Sequence, residues 1–368
     1  MPVVFKNIAV KNSGLATVSQ LREFEEIVDV RTPSEFAEDH VPGALNCPVM
    51  SDEERARVGT LYKQHSPFEA KKVGAALVAR NIAFHIENRW LHKPKSWHPL
   101  IYCWRGGQRS GAMTHILRQI GFAAEKLDGG YKSYRHHVLQ QLNALPPSFS
   151  FRVLCGLTGS GKSRLLAALR QSGAQVLDLE GIARHRGSVL GDMPETAQPA
   201  QKNFDSQVLE KLESFDPATP VYVESESKRI GQLRVPDELI AAMWESPCLR
   251  LEAAAYLRVA LLREDYAHFL RDPALLHQQL ERLKGLYPGE LLEHWRLLCE
   301  ARKWDEFIAE LLDRHYDPAY DKSMCGHYRH YDEAHHLTLN ALSEKDFRAL
   351  ADEVLALSGK FINNGGNA

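Results

Sequence analysis

The sequence predicts an α/β protein of two domains, each with a mostly parallel sheet. Short apolar strands alternate with helix-like segments on both sides of residues 143–148, where two consecutive prolines favour extended chain and mark a linker. Beyond residue 236, leucines and tryptophans recur at three- and four-residue spacings, which predicts helices. A chain of 368 residues is long enough for two hydrophobic cores. We therefore predict one domain at 1–145 and a second, with a helical C-terminal part, at 146–368.

Composition excludes several classes of protein. The chain is 44% hydrophobic and 25% charged, as soluble globular proteins are, and its net charge of −2 is not that of a generally basic nucleic-acid binder. Its six cysteines form no C-x-x-C pair, which argues against a zinc ribbon and against a disulfide framework. The N-terminus lacks the features of a signal peptide, and no apolar run approaches the roughly 20 residues that span a bilayer. We expect a cytoplasmic protein without a membrane partner.

The first domain is predicted to contain a buried strand at residues 27–31. A helix should start at Thr32, because a proline and a glutamate follow it at the positions of a capping pattern. Asp29 ends the strand, and we expect it to pair with Arg109 further along the chain; the alternative is that Asp29 caps the helix. Residues 51–95 are basic and helical in pattern, which indicates either a solvated face or part of an anion-binding surface.

A cysteine loop carries the first candidate site. The apolar segment 100–102 predicts a strand, and Cys103 follows it directly. Two glycines and two arginines, Arg105 and Arg109, come next, and a helix-like run begins at Ser110. Converging backbone N–H groups and a helix start favour negative charge, so this loop suits a nucleophilic sulfur. We predict Cys103 as the nucleophile, with Arg105 and Arg109 as catalytic partners; the alternative is a cysteine that only packs.

A phosphate-binding loop is the stronger signal. Residues 156–163 match G-x-x-x-x-G-K-[ST] between an apolar strand and a helix, as this motif requires. The glycines let backbone N–H groups surround a phosphate, the lysine adds a positive charge, and the serine hydroxyl can reach Mg²⁺. The predicted binding residues are Gly156, Thr158, Gly159, Ser160, Gly161, Lys162 and Ser163. We predict no protein-held metal, although magnesium is a possible companion of the phosphate.

The residues around this loop bear on which phosphate-containing ligand it binds. A metal-positioning aspartate is not obvious; Asp178 and Glu224 are the candidates, and ordinary strand-end carboxylates are the alternative. Ligands lie beyond the carboxyl ends of parallel strands, so basic residues there could line the same crevice. These residues are Arg184, Arg186, Lys228, Arg229 and Arg234, each of which is individually more typical of a surface charge.

Four segments of the first domain together resemble a rhodanese domain. They are Asp-Val-Arg-Thr-Pro-Ser-Glu-Phe at 29–36, His-Val-Pro-Gly-Ala-Leu-Asn at 40–46, Cys-Trp-Arg-Gly-Gly-Gln-Arg-Ser at 103–110 and Leu-Asp-Gly-Gly-Tyr at 127–131. A rhodanese domain followed by a P-loop NTPase-like domain is similar to the tRNA 2-selenouridine synthase family. The resemblance spans nearly the whole chain.

This resemblance implies an enzyme that replaces the sulfur of wobble 2-thiouridine in tRNA with selenium. It implies selenophosphate as the selenium donor and geranyl diphosphate as a co-substrate that first alkylates the sulfur. It also implies a selenophosphate-supplying enzyme as a partner and no tightly bound cofactor. The family's essential cysteine corresponds to Cys103, and its phosphate loop to residues 156–163.

The length of the cysteine loop departs from the commoner rhodanese pattern C-x-x-G-x-R, because five residues separate Cys103 from Arg109. A C-x5-R loop also resembles dual-specificity phosphatases, but Tyr102 stands where those enzymes have histidine. We interpret the wider loop as room for selenophosphate. The main alternative function is an ATP-dependent tRNA sulfurtransferase with a persulfide on Cys103; a phosphatase or small-molecule kinase and a non-catalytic tRNA-binding module are the others.

Overall fold

The computed structural model describes residues 14–188, 190–193 and 196–364. The chain divides into two compact units, Met1–Gln140 and Gln141–Ala368. Among the described residues, no helix is both long and apolar enough to cross a membrane.

The first unit is built on a five-stranded parallel sheet in the order β1-β5-β4-β2-β3. Its strands are β1 (Leu15–Ala16), β2 (Glu26–Asp29), β3 (Leu45–Asn46), β4 (Pro99–Tyr102) and β5 (Glu125–Leu127). Its helices are α1 (Pro33–Glu38), α2 (Asp52–Gln64), α3 (Pro67–His85), α4 (Gln108–Ile120) and α5 (Gly130–Ala144), with short helical turns at Val18–Glu23 and Ile86–Trp90. The central strand β4 is fully buried, and the chain leaves its carboxyl end at Cys103.

Local signals explain where these helices begin. The Thr32 side chain accepts a hydrogen bond from the Glu35 backbone, and the Glu35 side chain accepts one from Thr32, so the predicted helix start is confirmed. Helix α4 presents Met113 and Leu117 on one face, four residues apart, and both are fully buried. Each such side chain stabilises the fold by about 1.5–3 kcal/mol. This packing holds α4 against β4, because both side chains share a core with Ile101.

The second unit has its own parallel sheet, in the order β12-β11-β6-β8-β7, and a separate two-stranded antiparallel ribbon. The strands are β6 (Phe151–Cys155), β7 (Gln175–Leu177), β8 (Val221–Glu224), β9 (Arg229–Ile230), β10 (Leu233–Arg234), β11 (Cys248–Ala253) and β12 (His335–Leu339). Helices α6–α10 are Lys162–Gln171, Leu179–Ala183, Gln201–Glu213, Asp237–Trp244 and Ala255–Asp265. Helices α11–α16 are Ala267–Arg271, Pro273–Leu280, Gly289–Glu300, Trp304–Leu311, Asp317–His327 and Glu344–Asn364.

The helical prediction beyond residue 236 is wrong at β11 and β12. Both strands are short and alternate apolar with polar residues: β11 reads Cys-Leu-Arg-Leu-Glu-Ala, and β12 reads His-His-Leu-Thr-Leu. This period of two is the strand signal, but the leucines of the flanking helices obscure it. The remaining helices hold a separate core that includes Phe269, Trp295 and Phe307. The α/β class with a largely helical C-terminal part is confirmed.

Candidate functional sites

The cysteine loop forms the first candidate site, at the carboxyl end of β4. The Cys103 side chain is only 4% exposed. Its thiol donates a hydrogen bond to the Arg105 carbonyl oxygen at 3.6 Å, and the Ser110 hydroxyl donates one to the sulfur at 3.3 Å. Because Ser110 lies in the first turn of α4, the sulfur is held beside a helix N-terminus, where a negative charge is favoured.

A glycine turn supports this loop from the adjacent β5–α5 connection. The Tyr131 backbone donates to the Cys103 carbonyl oxygen at 2.8 Å, and the Lys132 backbone donates to that of Trp104 at 3.0 Å. Gly130 has a φ of +61°, and a Cβ there would lie 2.4 Å from the Cys103 carbonyl oxygen. Only glycine therefore permits this close approach.

Arg109 pairs with Glu35, and the predicted Asp29–Arg109 pair is wrong. The Arg109 guanidinium donates to both Glu35 carboxylate oxygens, at 2.6 and 3.1 Å. Asp29 is buried with Arg31, two residues along the chain, at 2.6 Å. The alternative, in which Asp29 caps α1, is also wrong, because Thr32 is the N-terminal cap of that helix.

The two arginines of the cysteine loop therefore differ in whether their guanidinium groups are free to bind an anionic ligand. Arg105 is exposed, and no acidic side chain in the described segments forms an ion pair with it. Burial alone would raise the pKa of Glu35, but the hydrogen bonds and charge of Arg109 outweigh burial and lower it. Arg109 thus holds the loop through a charged partner, while Arg105 can meet an anion near Cys103.

The phosphate loop joins β6 to α6 in the second unit. Three of its glycines, Gly156, Gly159 and Gly161, have φ values of +154°, +80° and +93°. The Lys162 ammonium donates to the Gly156 carbonyl oxygen at 2.8 Å, and the Gly156 N–H donates to the Tyr320 hydroxyl at 2.6 Å. The loop is thus folded into a defined turn whose lysine lies across it.

Arg258 of α10 fixes the loop from outside. Its Nε donates to the Thr158 carbonyl oxygen at 2.9 Å, and its two terminal nitrogens donate to Asp317 at 2.6 and 2.9 Å. Arg258 is 6% exposed, so this bidentate pair is shielded from solvent. The sequence offered no signal for this arrangement, because its three elements are distant in the chain.

The loop borders a cavity of about 390 Å³. Five of the seven predicted binding residues line it: Thr158, Gly159, Gly161, Lys162 and Ser163. Of the five basic candidates, Arg186 lines this cavity; Arg184 lines a different one, and Arg234 pairs with Asp237 at 2.8 Å.

Three carboxylates lie in the same cavity, on Glu180, Glu224 and Glu226, with ligand oxygens all within 4.8 Å of one another. Burial, followed by repulsion from Glu224, raises the pKa of Glu226 to about 8. Burial and the neighbouring carboxylates also raise the pKa of Glu180 well above its usual range. The carboxyl groups of such a cluster can stay protonated near neutral pH, or together they can bind a divalent cation.

The sequence identified only part of this cluster. Glu224 was a candidate, and it lines the cavity. Asp178, the other candidate, instead accepts a hydrogen bond from the Gly181 backbone at 2.8 Å and pairs with Arg170 at 3.1 Å. Glu226 lies two residues beyond the end of β8, so extending the strand's alternation past Glu224 would have placed both carboxylates on one side.

Comparison with known proteins bears on both sites. Residues 15–137 match the family model for a rhodanese-like domain, and residues 149–286 match the model for a tRNA 2-selenouridine synthase AAA domain. The tRNA 2-selenouridine synthase of Marinobacter nauticus is 35% identical over 81% of this chain and 88% of its own length. That of Nitrosomonas europaea is 37% identical, over 65% and 63%, and that of Sulfurovum is 32% identical, over 80% and 87%.

The chain belongs to the tRNA 2-selenouridine synthase family. The resemblance seen in the sequence is confirmed, and the chain is an enzyme of that kind. A solved N-terminal domain of a candidate ATP/GTP-binding protein from Clostridium difficile 630 is 33% identical over 34% of this chain and 98% of its own, with a TM-score of 0.31.

In this member of the tRNA 2-selenouridine synthase family, a narrow apolar cleft adjoins the phosphate-loop cavity. Leu262, Tyr266 and Tyr316 are among the residues that line both. The rest of the cleft is hydrocarbon or aromatic, and includes Phe269, Leu276, Phe307, Ile308, Leu311 and Leu312. The arrangement suits a ligand with an anionic head and an apolar body. Sequence reasoning could not separate these residues from ordinary core.

Proposed function

We propose that the enzyme replaces the sulfur of wobble 2-thiouridine in tRNA with selenium, in two steps carried out by its two sites. The phosphate-loop site first transfers a geranyl group from geranyl diphosphate to the sulfur. The Cys103 site then exchanges the geranylated sulfur for selenium from selenophosphate. Membership of the tRNA 2-selenouridine synthase family supports tRNA as the substrate.

The apolar cleft beside the phosphate loop is the observation that supports the first step, geranyl transfer. Geranyl diphosphate has an anionic diphosphate and a ten-carbon hydrocarbon, and the two adjoining spaces have matching chemistry. The cleft is small, about 40 Å³, so its side chains must move apart to admit the chain. Lys162 and the loop N–H groups stabilise the charge that builds on the departing diphosphate.

Magnesium fits this site, because the Ser163 hydroxyl and the carboxylate oxygens of Glu224 and Glu226 are hard ligands of the kind it prefers. When bound, it would neutralise charge on the diphosphate. The ATP-dependent alternative needs a pocket for ribose and purine. Hydrocarbon side chains predominate in the adjoining cleft, so geranyl diphosphate is the better match.

The second step needs a good leaving group on the base, and geranylation supplies one. The Cys103 thiolate attacks C2 of the geranylated base and expels geranylthiolate, which takes a proton from solvent. Selenophosphate then expels Cys103, and water hydrolyses the selenium–phosphorus bond to release phosphate. This route changes no oxidation state, whereas a Cys–Se bond formed from selenophosphate would. Arg105 is exposed in the cysteine loop and would meet the donor's phosphate.

Nucleoside mass spectrometry tests the proposal. The enzyme is incubated with tRNA containing 2-thiouridine, geranyl diphosphate and selenophosphate, each omitted in turn. We expect geranylated 2-thiouridine when selenophosphate is absent, and 2-selenouridine only when both co-substrates are present. Formation of 2-selenouridine without geranyl diphosphate would refute the two-step order. We further expect the enzyme to act in the cytoplasm with an enzyme that supplies selenophosphate.

A further inference from the structure

The overlap between the two spaces of the second unit is restricted to four residues. Thr158, Leu262, Tyr266 and Tyr316 line both the phosphate-loop cavity and the apolar cleft, and every other described lining residue faces only one of them. A ligand with its diphosphate in the cavity and its hydrocarbon in the cleft therefore has its C1–O bond beside these four. We call the two aromatic members, Tyr266 and Tyr316, the tyrosine collar.

Hydrogen bonds and ring contacts hold the collar in place. The Ser188 hydroxyl lies 3.5 Å from the Tyr266 hydroxyl, and it also hydrogen-bonds Tyr316. The Tyr266 ring is nearly parallel to that of Phe269, with centroids 6.0 Å apart, and His315 meets Tyr316 edge-on at 4.7 Å. Burial raises the pKa of Tyr316 to about 12, so its phenol stays neutral and does not repel a diphosphate.

The chemistry at this junction creates a positive charge. When the C1–O bond of an allylic diphosphate breaks, the electron pair leaves with the diphosphate, and positive charge spreads over C1 and C3. Lys162 and Arg186 line the cavity on the diphosphate side, and the Arg186 guanidinium already lies 5.2 Å from the Tyr266 ring centroid. These cations can stabilise the leaving group but not the carbon. The negative face of an aromatic ring attracts a cation in water-poor surroundings.

We propose that Tyr266 and Tyr316 are catalytic residues whose rings flank C1 and stabilise its positive charge during transfer. The inference rests on the proposed function, in which geranyl diphosphate is the donor. The thiouridine sulfur forms the new bond to C1 as the C1–O bond breaks, and the proton that the base loses from N3 passes to solvent. The hydroxyl groups hold the rings in place but take no part in the reaction.

Substitutions at position 316 provide the first test, with initial rates of geranyl transfer to tRNA as the readout. Tyr316→Leu removes the ring and should lower kcat roughly tenfold while KM stays within about twofold. Tyr316→Phe keeps the ring and should retain most of the rate. Trp304→Leu is the matched control, because Trp304 is buried in the same helical core but lines neither space. An equal loss of kcat in the control would overturn the inference.

A ring-fluorination series separates electrostatics from shape. Phenylalanine with zero, one, two and three ring fluorines is placed at position 316, since each fluorine weakens the negative face with little change in size. We expect kcat to fall at each addition. A flat series in an enzyme that still transfers geranyl would refute the collar's role and leave the proposed function intact. A wild-type enzyme that transfers no geranyl group would refute both.

Discussion

The carboxylate of Glu35 accepts hydrogen bonds from both terminal nitrogens of Arg109, at 2.6 and 3.1 Å. Glu35 also closes the capping box of α1, and Arg109 lies in the first turn of α4, directly after the cysteine loop. The pair therefore joins two helix N-termini across the site. The pair engages Arg109 with a carboxylate, whereas Arg105 of the same loop is exposed.

Glu35→Gln should destabilise the first unit in a pH-dependent way. The folded-state pKa of Glu35 lies below its ordinary value of 4.5, so ionised Glu35 stabilises the fold above that pH and loses its effect as pH falls through the folded-state pKa. Gln keeps the cap but not the charge. We expect a loss of about 1–2 kcal/mol in the free energy of unfolding at pH 7 and a smaller one at pH 3, by urea denaturation. Equal losses at both pH values would contradict the charge-based role.

Gly130→Ala should disable the cysteine loop. The new Cβ would meet the Cys103 carbonyl oxygen at 2.4 Å on a backbone with φ of +61°, so the loop must shift. We expect selenation to be lost while geranylation continues, measured by nucleoside mass spectrometry. Gly43→Ala is the matched control, because its φ is +74° but no atom lies within 4 Å of the added Cβ. If Gly43→Ala abolishes selenation equally, general backbone strain explains the result and the close approach does not.

Diphosphate binding should weaken with rising pH when divalent cations are absent. The pKa of Glu226 is about 8, so its carboxyl is largely neutral at pH 7 and charged at pH 9, where it repels a diphosphate in the same cavity. We expect about a tenfold loss of pyrophosphate affinity between these pH values, by calorimetry in EDTA. Glu226→Gln corrects for the titration of pyrophosphate itself and should show a clearly smaller change. The same pH dependence in the variant would exclude Glu226 as its cause.

Local sequence signals predicted the two loops because each loop is formed by consecutive residues. An apolar strand, glycines and a helix start occur in order around Cys103 and again around Lys162, and both turns form as expected. The capping box at Thr32 is equally local. These features depend on backbone conformation and on contacts within a few residues, so the chain order is enough to infer them.

Contacts between segments that are distant in the sequence could not be predicted from such local signals. Asp29 and Glu35 are both plausible partners for Arg109, and only folding shows that the nearby Arg31 engages Asp29. The apolar cleft uses side chains such as Phe307, whose helical spacing is that of any core residue. The strands β11 and β12 were missed because helices flank both of them. In each case the deciding information lies in which distant segments pack together.

The most direct test of the two-step account starts from purified tRNA that already carries geranylated 2-thiouridine. This substrate is incubated with selenophosphate and either Lys162→Ala or Cys103→Ala enzyme, and the nucleosides are analysed by mass spectrometry. Lys162→Ala should form 2-selenouridine at close to the wild-type rate, because the phosphate loop is needed only for geranyl transfer. The same variant should fail to geranylate 2-thiouridine tRNA. Cys103→Ala should geranylate normally but leave the geranylated base unchanged. Formation of 2-selenouridine by Cys103→Ala at the wild-type rate would contradict the account.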